Sequence, residues 1–213
     1  MIAQAGAIAP LVTLVQSGTD GQKENAAETL RNLAVNAENK VLIAQAGAIA
    51  PLVTLVQSGT DGQKEKAAAT LRTLANNNAG NQVLIAQAGA IAPLVTLVQS
   101  GTDGQKEYKA GALGSLAFND ENQVLIAQAG AIAPLVTLVQ SVTAGQKENA
   151  AGTLWVLALN AENRVLIARA GAIAPLVTLV QSGTDGQKEK AAGALRSLAL
   201  NAENNVLIAQ AGG

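Results

Sequence analysis

This chain of 213 residues has neither cysteine nor histidine. Without cysteine there is no disulfide framework and no thiolate chemistry, and the redox compartment stays open. The loss of histidine as well removes the commonest nucleophile–base pairs and the usual transition-metal ligands. No catalytic, cofactor-binding or metal-binding residue is assigned, and the chain reads as a non-enzyme. An excess of either charge is also missing. The 14 basic and 15 acidic residues leave a formal net charge of −1, without the electrostatic footprint expected for a nucleic-acid or anionic-membrane partner. Every apolar run is broken before the roughly 18–20 residues of a membrane span. No Asn-x-Ser/Thr acceptor is present. The apolar opening MIAQAGAIAPLVTLV lacks a basic n-region and recurs deep in the chain, so it reads as a repeat helix rather than a leader.

What is present is repetition. AGAIAPLVTLVQS occurs five times without a substitution, beginning at Ala5, Ala46, Ala88, Ala129 and Ala170. Its proline falls at Pro10, Pro51, Pro93, Pro134 and Pro175, in steps of 41, 42, 41 and 41 residues. A fixed period of this size predicts a helical solenoid, in which each unit buries its apolar face only against its neighbours. One continuous array is expected over 1–213, with units near 1–38, 39–79, 80–120, 121–161 and 162–203 and a terminal helix at 204–213.

Within a unit, Asn39 to Gly47 predicts a short helix stopped by a glycine free to turn left-handed. AIAPLVTLVQSG follows, with Pro51 in a first turn that does not need its N–H and Gly59 at the end. Thr60 and Gln63 have the spacing of a capping box, repeated at Thr19/Gln22, Thr102/Gln105, Thr143/Gln146 and Thr184/Gln187. Ala144 replaces Asp in the fourth copy while Thr143 and Gln146 remain, which makes threonine the cap. In the third helix Ala26, Ala27, Leu30, Leu33 and Ala34 share an apolar face, and Asn25, Glu28 and Asn32 lie opposite.

The AGAIAPLV turn-and-helix, the Gly-Thr-Asp-Gly loop and the AAxxLxxLA stripe resemble the armadillo repeat over essentially the whole chain. That resemblance implies an all-α, right-handed α-solenoid of three-helix repeats, whose third helices line a concave groove for extended peptides or partner proteins. Importin members of the family carry a Trp and, four residues on, an Asn in that helix. The corresponding residues here are Glu28, Ala69, Gly111, Gly152 and Gly193, then Asn32, Thr73, Ser115, Val156 and Ser197. Only Asn32 keeps the pattern, and Lys66 and Lys190 stand where a basic cargo would meet acid. In style the chain looks closer to plant and protist armadillo proteins, some of which carry a ubiquitin-ligase domain elsewhere.

The expected groove residues are Asn25, Glu28, Asn32, Lys66, Thr73, Tyr108, Ser115, Asn149, Lys190 and Ser197, with Ala69, Gly111, Gly152, Val156 and Gly193 between them. Arg31, Arg72, Trp155 and Arg196 share one column on the flank, where a solvated arginine competes with a partner anchor. Tyr108 faces the groove, and Phe118 is expected to pack at its helix end. Lys109 replaces an alanine on the apolar face. It is expected to snorkel out beside Tyr108, against the alternative of a buried amine with a lowered pKa. The lysines of the GTDGQKE loops read as parts of capped helix starts rather than a phosphate cradle. Val142 replaces glycine and marks a weak point if that position needs positive φ.

Two functions fit: a protein- or peptide-binding scaffold, or an idealised or designed repeat module with no evolved ligand. Protein or extended peptide is the expected partner, without cofactor, nucleic acid or membrane. An intracellular setting, cytoplasmic or nuclear, is expected for a natural chain. Weak head-to-tail self-association is expected from ends lacking a polar capping repeat.

Overall fold

The computed structural model of the chain describes residues 6–211, which form fifteen α-helices. There is no strand among the described residues. The first copy supplies α1 (Ile8–Ser17) and α2 (Asp20–Leu33). Three-helix copies follow: α3 (Ala37–Gln45), α4 (Ile49–Ser58) and α5 (Asp61–Ala75); then α6 (Ala79–Gln87), α7 (Ile91–Ser100) and α8 (Asp103–Leu116). The next are α9 (Asp120–Gln128), α10 (Ile132–Val139) and α11 (Ala144–Leu157), then α12 (Ala161–Arg169), α13 (Ile173–Ser182) and α14 (Asp185–Leu198), with α15 (Ala202–Ala211) last. The unit boundaries read from the sequence fall one or two residues inside the start of each short helix. Met1–Gln4 and Gly213, on which the expectation of exposed ends partly rests, lie outside the described residues.

Each short helix starts on an asparagine the sequence reading overlooked. Asn36 Oδ1 accepts from the N–H groups of Glu38 and Asn39, and Asn78, Asn119, Asn160 and Asn201 cap their helices likewise. Helices α3, α6, α9 and α12 each end on a left-handed glycine. Gly47 has φ +79°, its N–H bonds Ala44 O and the Ala48 N–H bonds Ile43 O, which is the Schellman arrangement. That reversal turns the chain by 81–87° into the second helix. The 42-residue step is absorbed by one residue: Asn77 takes φ +53°, a conformation asparagine tolerates, and leaves Asn78 free to cap.

The third helices α2, α5, α8, α11 and α14 stack on one another, with the second helices packed against them. Their small alanines permit close approach, as Ala67, Ala68 and Ala75 are fully buried together with Leu74. Burying a leucine is worth about 1.5–3 kcal/mol, more than the ~1 kcal/mol of one hydrogen bond. Burial therefore drives the stacking. The hydrogen bonds between copies, which need particular partners opposite each other, fix its register. Asn81 Nδ2 donates to Lys40 O of the preceding copy at 3.3 Å and to Leu74 O of its own at 3.0 Å, a pattern repeated by Asn122, Asn163 and Asn204. The capping-box Gln63 donates to Asp20 Oδ1 of the copy before at 2.9 Å, and Gln105 and Gln146 reach Asp61 and Asp103 in turn. Where Ala144 has lost that carboxylate, Gln187 bonds its backbone carbonyl instead.

The condition attached to Val142, positive φ at the glycine it replaces, is not met. Gly18, Gly59, Gly101 and Gly183 do not adopt positive φ; Gly59 sits at φ −72°, ψ 173°. Glycine is needed there because a Cβ on Gly59 would come within 2.6 Å of Leu55 O and 2.9 Å of Gln63 Cβ. Val142 meets that constraint by taking another route. Helix α10 ends at Val139, Val142 stands 90 % exposed, and Thr143 still accepts from Gln146 N–H without the reciprocal bond seen in the other four copies.

Lys109 also departs from expectation. It is fully buried and its Nζ has no hydrogen-bond partner among the described residues. Desolvation lowers its pKa to about 8, against the raising fields of Glu65 and Asp61 and with a smaller lowering contribution from Lys64. Phe118 is not packed at its helix end but is 61 % exposed, because its position lies one residue past the apolar stripe.

Val142→Gly is expected to restore the last turn of α10 and the full capping box, stabilising the chain by about 0.5–2 kcal/mol; thermal denaturation reads this as a higher Tm. Lys109→Ala, the residue of the other four copies, should stabilise by about 1–3 kcal/mol at neutral pH. The sign with pH follows from the lowered pKa. Below about 8 the amine is charged in both states and the penalty is complete. Between about 8 and 10.5 the unfolded chain keeps a proton that the folded chain has lost, so stability climbs with pH. Denaturant midpoints across that window should rise in the parent chain, and the rise should be absent in Lys109→Ala.

Candidate functional site

The copies differ from one another chiefly on one face of the third helix. Gln-Lys-Glu at its start and the Leu30/Leu33 positions are constant, whereas the columns of Asn25, Glu28, Arg31, Asn32 and Val35 change from copy to copy. At offsets of three and four residues these columns adjoin on the helix surface. Stacking five such faces produces a furrow that contains two adjoining cavities, one of about 300 Å³ and one of about 390 Å³. They share Arg72, Asn76 and Ser115.

The smaller cavity gathers Arg31, Ala69, Thr73 and Tyr108. The larger gathers Gly111, Asn149, Gly152, Trp155, Val156, Lys190 and Arg196 from the predicted set. Asn25 and Asn32 are exposed at the outer end, outside both cavities. Glu28 and Lys66 also lie outside the cavity walls but are joined to each other, Nζ to Oε2 2.7 Å. Ser115 is nearly buried and donates its hydroxyl to Gly111 O, yet it borders both cavities. Ser197 is a correction. It is 3 % exposed and touches neither cavity, although Ser115 in the same column borders both.

The flank column is a correction of a different kind. Two of its side chains, Arg72 and Trp155, cross from one copy onto the next and become part of the furrow. Arg72 passes over Gly111, where a Cβ would come within 2.7 Å of Cζ, and its Nη2 donates to Asn149 Oδ1 at 3.1 Å, two copies away. Trp155 lies over Gly193 in the same way, with Lys190 Nζ 5.5 Å from its ring centroid, a favourable cation–π placement. In the third copy the column holds Gly114, and no side chain from that column crosses above Gly152.

Charge divides the furrow. At the outer end Glu28 sits between Lys66 and Arg31, the latter at 3.3 Å. The hydrogen bond from Lys66, and then the charges of Lys66 and Arg31, hold its carboxyl below the ordinary value against a partial desolvation that raises it. Further along, Arg72, Lys190 and Arg196 border the larger cavity with Glu148 as the single carboxylate. Lys190 pairs with its neighbour Glu189 at 2.8 Å. Among the described residues no carboxylate pairs with Arg72 or Arg196.

Sequence reasoning missed the far rim. Val35, Phe118, Leu159 and Leu200 occupy one column just after the third helix and remain 78, 61, 50 and 69 % exposed, with Asn76 interrupting the row in the second copy. The signal was present as a large apolar residue placed immediately before each short helix's asparagine cap. Among the described residues no three His, Cys, Asp or Glu side chains come together, and no single helix is long and apolar enough to cross a membrane.

Comparison with known proteins places these features. The sequence matches the family described as the plant U-box protein ARM repeat region over residues 2–211. Among solved structures, a designed armadillo repeat protein superposes with a TM-score of 0.91 at 26 % identity, covering 96 % of this chain and 88 % of that one. An engineered protein gives 0.92 at 29 % identity, covering 97 % and 85 %. A designed armadillo repeat protein in complex with the peptide (KR)4 gives 0.89 at 25 % identity, covering 96 % and 87 %. No curated protein matches the sequence.

The crossing side chains yield a paired test. A Cβ on Gly152 would meet only Lys190 carbons at 3.7 Å, whereas one on Gly193 would meet the Trp155 ring at 2.7 Å. Gly152→Ala should gain the helix-propensity difference of about 1 kcal/mol. Gly193→Ala should gain nothing and should shift Trp155 emission, since the ring must move. Melting curves and tryptophan fluorescence of the two variants check both.

Proposed function

Because the chain belongs to the armadillo repeat family, through the ARM repeat region of plant U-box proteins, we propose that it is a binding scaffold. Its third-helix furrow receives an extended peptide or an extended segment of a partner protein. The observation that carries this reading is where the copies differ. The second helices are identical in sequence in all five, while within the third helices the columns that vary most lie on the face that borders the two cavities. The peptide held by a related designed armadillo protein supports an extended ligand. Arg72, Tyr108 and Trp155 supply the side-chain types most often dominant in protein interfaces, and Asn149 and Thr73 stand among them as polar partners. No catalytic step is assigned.

An idealised array without an evolved ligand is the second reading. It is favoured by the identity of AGAIAPLVTLVQS in all five copies and by the designed origin of the related structures. One experiment separates the two. Random extended peptides displayed against the full chain should yield retained sequences whose affinity drops at least tenfold, about 1.4 kcal/mol, on joint Tyr108→Ala and Arg72→Ala substitution, with little change in Tm. Absence of retained peptides, or binding indifferent to the double substitution, rejects the furrow as the binding surface.

A further inference from the structure

We infer that the cavity left open at Gly114 selects the ligand, and that it takes an extended acidic segment presenting one aromatic or large aliphatic side chain between carboxylates. This rests on the furrow being the binding surface. It adds the chemistry of the occupant and its location.

The opening comes from the one glycine in the flank column, Gly114. Arg72 and Trp155 each cover the glycine of the following copy, but the third copy has no side chain to send across Gly152. A Cβ on Gly114 would come within 2.6 Å of Thr153 Oγ1. That hydroxyl is committed, lying 2.7 Å from Ala110 O and 2.8 Å from Asn149 O. A larger residue at 114 would require α8 and α11 to shift, as at the first pair of copies, where Arg31 stands in this column and Thr70 Oγ1 keeps the equivalent bond to Ala27 O at 2.8 Å. The gap, about 390 Å³, is the size of a pocket that encloses a ligand group rather than a few waters.

Its walls state what fits. Trp155, Val156, Phe118 and Leu159 present apolar surface, and Phe118 and Leu159 leave half or more of theirs in water. An apolar side chain seated between them removes that surface from solvent. Above it the charge is one-sided. Arg72, Lys190 and Arg196 border the cavity with Glu148, and of the three only Lys190 has a carboxylate partner, Glu189. The two arginines have no ion-pair partner among the described residues; Arg72 spends one Nη2 hydrogen bond on Asn149, and the remaining guanidinium donors can meet carboxylates. A basic segment such as the (KR)4 peptide of the related complex would meet like charge here.

The single tryptophan lies in the cavity wall, so the chain carries its own reporter. The full chain is titrated with Gly-Glu-Glu-Phe-Glu-Glu-Gly, with the same peptide carrying Ala for Phe, and with the same peptide carrying Lys for every Glu, following Trp155 emission and confirming by calorimetry. The first peptide is expected to bind, more weakly as salt is raised, and each of the others at least tenfold more weakly. Gly152→Leu fills the floor and replaces a glycine with a better helix former. It should lower affinity for the first peptide at least tenfold while Tm holds or rises. Arg196→Gln should weaken the same peptide and flatten its salt dependence. Equal or tighter binding of the lysine peptide overturns the acidic selection and leaves the scaffold reading intact. Unchanged binding in Gly152→Leu overturns the location. If displayed peptides are retained by the furrow but none of these three binds, this inference alone falls. If nothing binds at all, both readings fall.

Discussion

Each copy is held in register by an amide side chain that bonds at once to its own copy and to the one before it. Asn81 spans Leu74 O and Lys40 O, and Gln63 closes the cap on Thr60 while reaching Asp20. These groups are nearly buried, so a shifted neighbour would leave amide hydrogens without acceptors at a cost of about 1–3 kcal/mol each. Apolar burial brings the copies together with far more total free energy, but leucine and alanine faces pack tolerably in several offsets. The amides accept one. Everything in the furrow depends on that choice, because Arg72 can lie over Gly111 and reach Asn149 only if successive third helices keep a fixed axial offset.

The fold was largely legible in the sequence because its determinants are local and repeated. Capping threonines, the first-turn proline and the left-handed glycines each act within a few residues, and each recurs five times. What escaped was non-local. Whether the glycines before the capping threonines need positive φ was left open by the sequence; the constraint is a collision with a carbonyl and a glutamine side chain several residues away. Lys109 was expected to reach solvent from an apolar face, but α5 and its neighbours enclose it entirely. The candidate site was legible in part. Helical projection placed Thr73, Tyr108, Asn149 and Lys190 along the furrow. It could not foresee that the flank column would cross between copies, because that depends on how far one copy is translated from the next.

Those crossings set the character of the surface. A long side chain laid across a neighbouring glycine covers backbone, positions a charge, and separates one stretch of furrow from the next. Where Arg31 and Lys66 meet, both are paired to the one carboxylate of Glu28. Where Arg72 and Arg196 flank an apolar gap, they have no such partner among the described residues. A nearly neutral chain thus carries locally uneven electrostatics, invisible in a net charge of −1.

The interchangeability of the stacking faces reaches into how such a chain can change. Because the second helix and its contacts are alike from copy to copy, the DNA encoding one unit can be lost or gained by unequal exchange without creating a new kind of core. The furrow does not share that indifference. Excising the third unit would bring Arg72 up against Gly152, a glycine in the column of the Gly111 it now covers, and the gap would close beneath it. Insertion of a further unit ending in glycine would open a second one. In this architecture a recombination event that conserves the core rewrites the order of covered and open glycines, so copy number itself sets the pattern of the furrow.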